Sequence, residues 1–322
     1  MSTLPIQTLF PHASSLVYGC MGLGGAWSDE PYQSTHVKQA QQVIDCALDN
    51  GINFFDHADI YTFGKAEQVF GQALAQRNDR EQMIIQSKCG IRFDDNLGPK
   101  RYDLSVKWIK HSVDNSLAQL NCDYLDILLL HRPDPLMDVN EIAQTYLSLK
   151  QAGKVKHLGV SNMQQYQMQA LVNAIGEPLA VNQIEMSLQQ HSFVDEGVYA
   201  GNQAGSDINF APGMLEYCQA EKVQIQSWGS LCQGQYTGAA TEQASQAIHQ
   251  TSKLVAKLAS EYGVSAEAIL LAWLMRHPSN IQPVIGTTNL ARIKACTEVN
   301  KLQLSREHWY ALYVSAKGVE LP

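Results

Sequence analysis

Short apolar runs alternate with amphipathic stretches along almost the whole of this 322-residue chain. Apolar runs at 16–20, 52–55, 83–88, 125–131, 156–160, 180–184, 223–228 and 281–285 read as strands. Residues 35–50, 66–75, 141–152, 164–174, 214–221 and 290–299 have helical spacing. Ser105 and Ser265 each cap a further helix, the second running to 276. Eight βα units in one chain predict an α/β fold, a (β/α)8 TIM barrel, rather than an open doubly wound sheet. Extra helices are expected at 247–262 and, at the C-terminus, at 305–317. Polar excursions at 192–213 and 229–246 are expected as long loops on the C-terminal face. Residues 1–322 are read as one domain.

The C-terminal ends of barrel strands converge on one face, where catalytic groups collect. The second run ends on Asp56, the third on Lys88 and the fourth on His131. Tyr61 follows Asp56 in the next loop. Asp, Tyr, Lys and His brought together there form a proton-transfer set. His57 and Asp59 fall outside this pattern and read as loop residues. Cys89, beside Lys88, reads as structural. The glycine-rich loop at 21–25 does not fit the GxGxxG dinucleotide fingerprint, and no helix opens directly behind it.

Composition narrows the partners. Net charge is −8, with Lys and Arg scattered, so no basic field recommends a nucleic acid or an anionic membrane. The seven cysteines form no C-x-x-C pair and suit a reducing compartment. There is no basic segment leading into an apolar one at the N-terminus, and no apolar run approaches ~18 residues. The expectation is a cytoplasmic protein.

Asp56-x-Ala58-x-x-Tyr61, Ser87-Lys88, Leu130-His131, Gly159-Val160-Ser161-Asn162, Asn182-Gln183 and Ile285-Gly286-Thr287-Thr288 occur in this order. Together they resemble the aldo-keto reductases over residues 16–299. The strings around Asp56, Lys88 and His131 are most similar to a bacterial subgroup of poorly characterised oxidoreductases. The resemblance implies NAD(P)H-dependent reduction of a small-molecule carbonyl on a TIM barrel, without a Rossmann domain or a metal. It implies Tyr61 as general acid and His131, as the neutral tautomer, orienting the carbonyl oxygen. Lys88 would lower the Tyr61 pKa from its reference of ~10, and Asp56 would hold Lys88 charged. Ser161, Asn162 and Gln183 would hold the nicotinamide carboxamide, with Trp228 stacked on the ring. Gly286, Thr287 and Thr288 would cradle phosphate ahead of a helix. Arg292 would meet the adenosine 2′-phosphate, which favours NADPH over NADH. Gly286 stands where many relatives have lysine, and Ala295 and Cys296 replace a Glu-Asn pair. Trp27 and the two excursions are expected to wall the substrate pocket. Two other readings stay open: a Schiff-base aldolase with Lys88 as nucleophile, and a nicotinamide-binding redox sensor with little turnover.

Overall fold

The computed structural model describes residues 3–239 and 243–322. Its centre is a closed barrel of eight parallel strands. They are β1 (Val17–Gly19), β2 (Phe54–Asp56), β3 (Ile84–Cys89), β4 (Leu125–Leu130), β5 (Val155–Ser161), β6 (Val181–Glu185), β7 (Gln224–Trp228) and β8 (Gln282–Ile285). Neighbours in sequence are neighbours in space, and Tyr18 of β1 pairs with Ile285 of β8 to close the ring. The predicted barrel is therefore the observed one.

Helices α1 (Ser34–Asp49), α2 (Lys65–Leu74), α3 (Val106–Leu120), α4 (Val139–Gln151) and α5 (Gln165–Ile175) follow the first five strands. Then come α6 (Ser192–Val198), α7 (Met214–Ala220), α8 (Gln246–Tyr262), α9 (Ala266–Met275), α10 (Leu290–Thr297) and α11 (Arg306–Lys317). The caps read from sequence are present. Ser105 Oγ accepts from Trp108 N–H, and Ser265 Oγ accepts from Ala268 N–H, each at 3.3 Å. The C-terminal helix docks through a reciprocal tryptophan pair. Trp273 of α9 and Trp309 of α11 stack at 5.2 Å, and each indole N–H donates to the other's backbone carbonyl.

Period two decides what the barrel interior contains. Val17, Phe54, Ile84, Ile127 and Val181 form its apolar floor, closed from below by Ile6 in the short turn Pro5–Thr8. Further along the same strand faces come Gly19, Asp56, Gln86 then Lys88, Leu129 then His131, and Gln183. From β5, β7 and β8 come Gly159 then Ser161, Gln226 then Trp228, and Gln282 then Gly286. One face of the alternation thus delivers Asp56, Lys88, His131, Ser161, Gln183, Trp228 and Gly286, while Tyr61, Asn162, Thr287, Arg292 and Trp27 come from the loops and the helix beyond the strand ends. Gly159 is glycine for lack of room: a Cβ there would stand 2.5 Å from Leu129 Cδ2 and 2.9 Å from Val181 O.

Some local structure departs from expectation. A two-stranded hairpin, Ile91–Arg92 with Arg101–Tyr102, precedes α3. The excursion at 192–213 opens with α6 rather than irregular chain. That at 229–246 starts with helical turns at Cys232–Gly234 and Gln235–Ala239, and its residues 240–242 lie outside the described residues. Among the described residues no single helix is long and apolar enough to cross a membrane.

Candidate active site

A cavity of about 710 Å³ opens at the C-terminal ends of the strands. Asp56, Tyr61 and His131 lie in its wall, with Ser161, Asn162, Gln183 and Trp228. Gly286, Thr287, Arg292 and Trp27 complete the predicted set found there. A second cavity, about 810 Å³ and near Asn280 and Leu302, shares none of these groups. Lys88 sits just behind the wall, with its side chain fully buried. Thr288 is the one predicted residue not brought in; its methyl lies beside Gly22.

Lys88 is the hub. Its Nζ donates to Asp56 Oδ2 at 2.7 Å, to Tyr61 Oη at 2.7 Å and to the His57 carbonyl at 2.9 Å. All three ammonium hydrogens are spent. Burial alone would lower the Lys88 pKa, but Asp56 and Tyr61 outweigh it and the value is raised. The amine is protonated. Tyr61 departs from the sequence expectation. Lys88 does pull its pKa down, but burial pushes harder, with help from Asp56, and the phenol is pushed up to about 12. His131 follows expectation: burial first, then Lys88, Arg132 and Lys100, holds its pKa well below the ordinary value, so the ring is neutral. It meets Tyr61 edge-on, ring centres 6.1 Å apart.

The backbone after Tyr61 is strained. Thr62 (φ 48°), Phe63 (φ 59°) and Gly64 (φ 83°) are left-handed in succession, a costly state for a β-branched residue. Thr62 Oγ1 lies 2.9 Å from the Leu23 carbonyl, which ties the turn to the β1 loop. Phe63 stacks on Phe93 at 4.9 Å and meets Trp27 edge-on at 5.7 Å, so three loops build one aromatic wall.

The candidate nicotinamide residues hold each other. Asn162 Nδ2 donates to Ser161 Oγ at 2.7 Å, Ser161 Oγ to the Gln183 carbonyl at 2.8 Å, and Trp228 Nε1 to Asn162 Oδ1 at 3.2 Å. The candidate phosphate end is more occupied than expected. Thr287 Oγ1 accepts from Asn289 N–H, and Asn289 Oδ1 accepts from the N–H groups of Ala291 and Arg292. These first amides of α10 are satisfied by its own cap. Arg292 donates to Glu267 Oε1 at 2.9 Å and to Thr237 Oγ1 at 3.0 Å, so its guanidinium is already paired.

Several residues here escaped sequence reasoning. His57 and Asp59 do lie in the loop after β2, but inside the protein, where their burial was not foreseen. His57 is fully buried against Phe70, and among the described residues neither ring nitrogen has a hydrogen-bond partner; burial, then Lys88, lowers its pKa to about 3. Burial, then neighbouring Glu67, raises Asp59 to about 8. Glu67 itself is raised to about 7 by burial, although Ser87 Oγ donates to it at 2.6 Å. Burial also pushes the Cys89 thiol well up, which suits the structural reading. Gln86, Gln226 and Gln282 lie at 0% exposure inside the barrel. The signal was available: glutamine on the inward face of an otherwise apolar strand.

An eight-stranded barrel with an Asp–Lys–Tyr chain and a neutral histidine at its C-terminal face has the architecture of an aldo-keto reductase. Residues 15–313 match the Aldo/keto reductase family, and the chain belongs to it. It is 35% identical to a 6-dehydroglucose reductase of Agrobacterium fabrum over 96% of each chain. It is 32% identical to the uncharacterized oxidoreductase YcsN of Bacillus subtilis, over 87% of this chain and 89% of that one. An aldo-keto reductase of Klebsiella pneumoniae, solved in complex with NADPH, superposes with a TM-score of 0.70 at 23% identity, covering 93% of this chain and 90% of that one. The chain is thus an NAD(P)H-dependent oxidoreductase of a bacterial group whose members are little characterised.

Proposed function

We propose that this protein reduces an aldehyde or ketone to an alcohol, with NADPH as reductant and Tyr61 as general acid. The observation that carries the reading is the bonded chain Asp56–Lys88–Tyr61, which ends at a phenol in the cavity wall beside a neutral imidazole. Nicotinamide dinucleotide suits the lining. Ser161, Asn162 and Gln183 offer amide and hydroxyl groups of the kind a carboxamide needs, and Trp228 offers a flat apolar face. When bound, the reduced cofactor supplies the hydride.

The chain's own residues supply the rest. His131, neutral, donates a hydrogen bond to the carbonyl oxygen and fixes its approach. Tyr61 gives its proton to that oxygen as negative charge develops there. A phenol at about 12 still protonates an alkoxide downhill, and Lys88 stabilises the phenolate left behind. Asp56 keeps the ammonium aimed. The same bonds weigh against the aldolase reading, because a protonated amine with all three hydrogens donated has no lone pair to offer a carbonyl.

Arg292 supports NADPH only through its charge at the cavity, since Glu267 competes for it. Arg292→Ala is expected to weaken NADPH binding and leave NADH binding unchanged. Equal loss for both cofactors removes the preference and keeps the reductase. The cavity rim carries Arg132, Glu185 and Gln190 beside Trp27 and Trp228, a polar and aromatic mixture suited to polyhydroxylated aldehydes. Sugar aldehydes therefore head the substrate panel, as the name of the Agrobacterium relative also suggests. Tyr61→Phe should lower kcat by about 10²–10⁴-fold with cofactor affinity unchanged. Retained turnover, or lost cofactor affinity, in that variant refutes the assignment.

A further inference from the structure

The barrel interior beneath the cavity holds a ladder of side-chain amides that the reaction as described does not use. Gln282 Nε2 donates to the Ser14 carbonyl at 2.7 Å. Gln226 Nε2 donates to Gln282 Oε1 at 3.1 Å. Gln226 Oε1 accepts from Gln86 Nε2 at 3.0 Å and from Gln183 Nε2 at 3.1 Å. The same two amides also donate to Asp56 Oδ1, at 2.5 and 3.1 Å. Asp56 Oδ2 is left for Lys88.

This ladder can run in only one direction. The orientation of a buried amide is ordinarily ambiguous. Here the Ser14 carbonyl, which only accepts, fixes Gln282. Gln282 then requires a donor from Gln226, and Gln226 turns its oxygen toward Gln86 and Gln183. Both must answer with N–H, and each second N–H falls on Asp56. Flipping any one amide sets oxygen against oxygen. Among the described residues Gln86 Oε1 is left buried without a hydrogen-bond partner, the defect this polarity entails. Gln183, with Nε2 committed inward, keeps Oε1 for the cavity it lines.

We propose that Gln226, which lies outside the cavity wall and is fully buried, is a positioning residue for the reaction. Through Gln86 and Gln183 it rotates Asp56 so that one oxygen serves the amides and the other serves Lys88. It also fixes which edge of Gln183 faces the cofactor. The proposal rests on the carbonyl-reductase reading above and adds a residue that touches neither substrate nor cofactor.

Gln226→Met and Gln226→Glu test it. Methionine keeps the length but neither accepts nor donates these bonds, so kcat should fall on the order of 10²-fold with substrate KM unchanged. Cofactor affinity, read by tryptophan quenching with NADPH, should fall about fivefold as the Gln183 amide loses its hold. Glutamate is the conservative rescue and a switch. As the neutral acid it accepts from both amides and donates O–H to Gln282. Once ionised it cannot donate, and it sets a second negative charge near Asp56. Gln226→Glu should therefore act like wild type at low pH and lose kcat and cofactor affinity through a one-proton limb that wild type lacks. The Gln86 and Gln183 side-chain amide signals in proton–nitrogen NMR should move through the same limb without any ligand.

A Gln226→Met enzyme with wild-type kcat and cofactor affinity but a lower Tm makes Gln226 merely structural and overturns the proposal. So does a Gln226→Glu enzyme with the wild-type pH profile. If the methionine variant fails to fold, Gln226→Glu decides alone. If wild type reduces no carbonyl, the reductase reading fails by itself. The cofactor affinity and the amide signals then still decide whether Gln226 sets the site.

Discussion

Lys88 is a charge taken wholly out of water, and it is tolerable only because every hydrogen it carries is bonded. The same holds for Asp56, which accepts from Lys88, Gln86 and Gln183. Removing one partner of such a pair leaves the other ion buried and unanswered, which costs about 3–5 kcal/mol. Lys88→Met is expected to lose stability in that range, measured by urea unfolding. Adding Asp56→Asn should return most of the loss, because the orphaned charge is gone. If the double variant is no more stable than Lys88→Met, the penalty lies in packing and not in charge. At this scale the candidate site was legible where a titratable residue closes a strand. Asp56, Lys88 and His131 each close an apolar run; singly they read as a cap, a surface lysine and a strand closer, and only their succession at strand ends marks them as a set. The amide ladder did not stand out. Gln86 and Gln226 are 140 residues apart, and only barrel closure makes them partners. The net effect on Tyr61 was unreadable for a similar reason. The sign of Lys88's influence follows from charge, but the depth of burial that outweighs it is a property of the folded loop.

Helix spacing and strand runs located the elements well because both periodicities are local. Caps such as Ser105 and Ser265 are local too. The Ile91–Arg92 and Arg101–Tyr102 hairpin escaped notice because two-residue strands have no periodicity to read. It is held by ion pairs from Asp95 to Arg92 and Arg101. How closely two helices approach is equally invisible in sequence until a small residue is seen against its neighbour. Gly71 of α2 is such a case. A Cβ there would stand 2.0 Å from the Gln119 carbonyl and 2.7 Å from the Leu120 carbonyl carbon, both backbone at the end of α3. Backbone cannot rotate aside, so α2 must move away from α3. Gly71→Ala should therefore destabilise by about 1–3 kcal/mol, although alanine is the better helix former. α2 also carries Lys65, whose ammonium donates to the carbonyls of Ala26, Ser28 and Glu30 beside Trp27. The displacement should accordingly raise substrate KM as well as lower Tm. A neutral or stabilising alanine would mean the α2–α3 spacing is slack.

Over the whole molecule, buried titratable groups oppose one another with pH. Burial holds His57 at about 3 and His277 at about 4, and it also lowers His131 and His157. In the unfolded chain these rings take up a proton near their ordinary value of ~6.5, and in the folded protein they refuse it. The unfolded state then binds more protons below ~6.5, so stability falls as pH drops from there, by up to about 1.4 kcal/mol per pH unit for a ring that stays neutral throughout, as His57 does down to about 3. Asp59 and Glu67 have the reverse sign. They hold their protons in the fold up to about 8 and about 7, whereas the unfolded chain releases them near ordinary carboxyl values. Their contribution is complete below those ordinary values and is lost as pH rises toward 8. Below ~6.5 the four histidines outnumber the two carboxyls; above it only the carboxyls remain. Stability should therefore peak between about pH 6 and 7 and decline on both sides. The two limbs belong to different residues, so they separate by mutation. His57→Leu should make the acid limb shallower, with His131, His157 and His277 still contributing, and leave the alkaline one unchanged. Glu67→Gln keeps the bond from Ser87 and should make the fall shallower up to about pH 7, with Asp59 still giving the decline toward 8. Urea unfolding across pH for the three proteins checks both signs. An alkaline limb unchanged in Glu67→Gln would mean that Glu67 is already ionised in the fold at neutral pH, with its charge matched by a group other than Ser87.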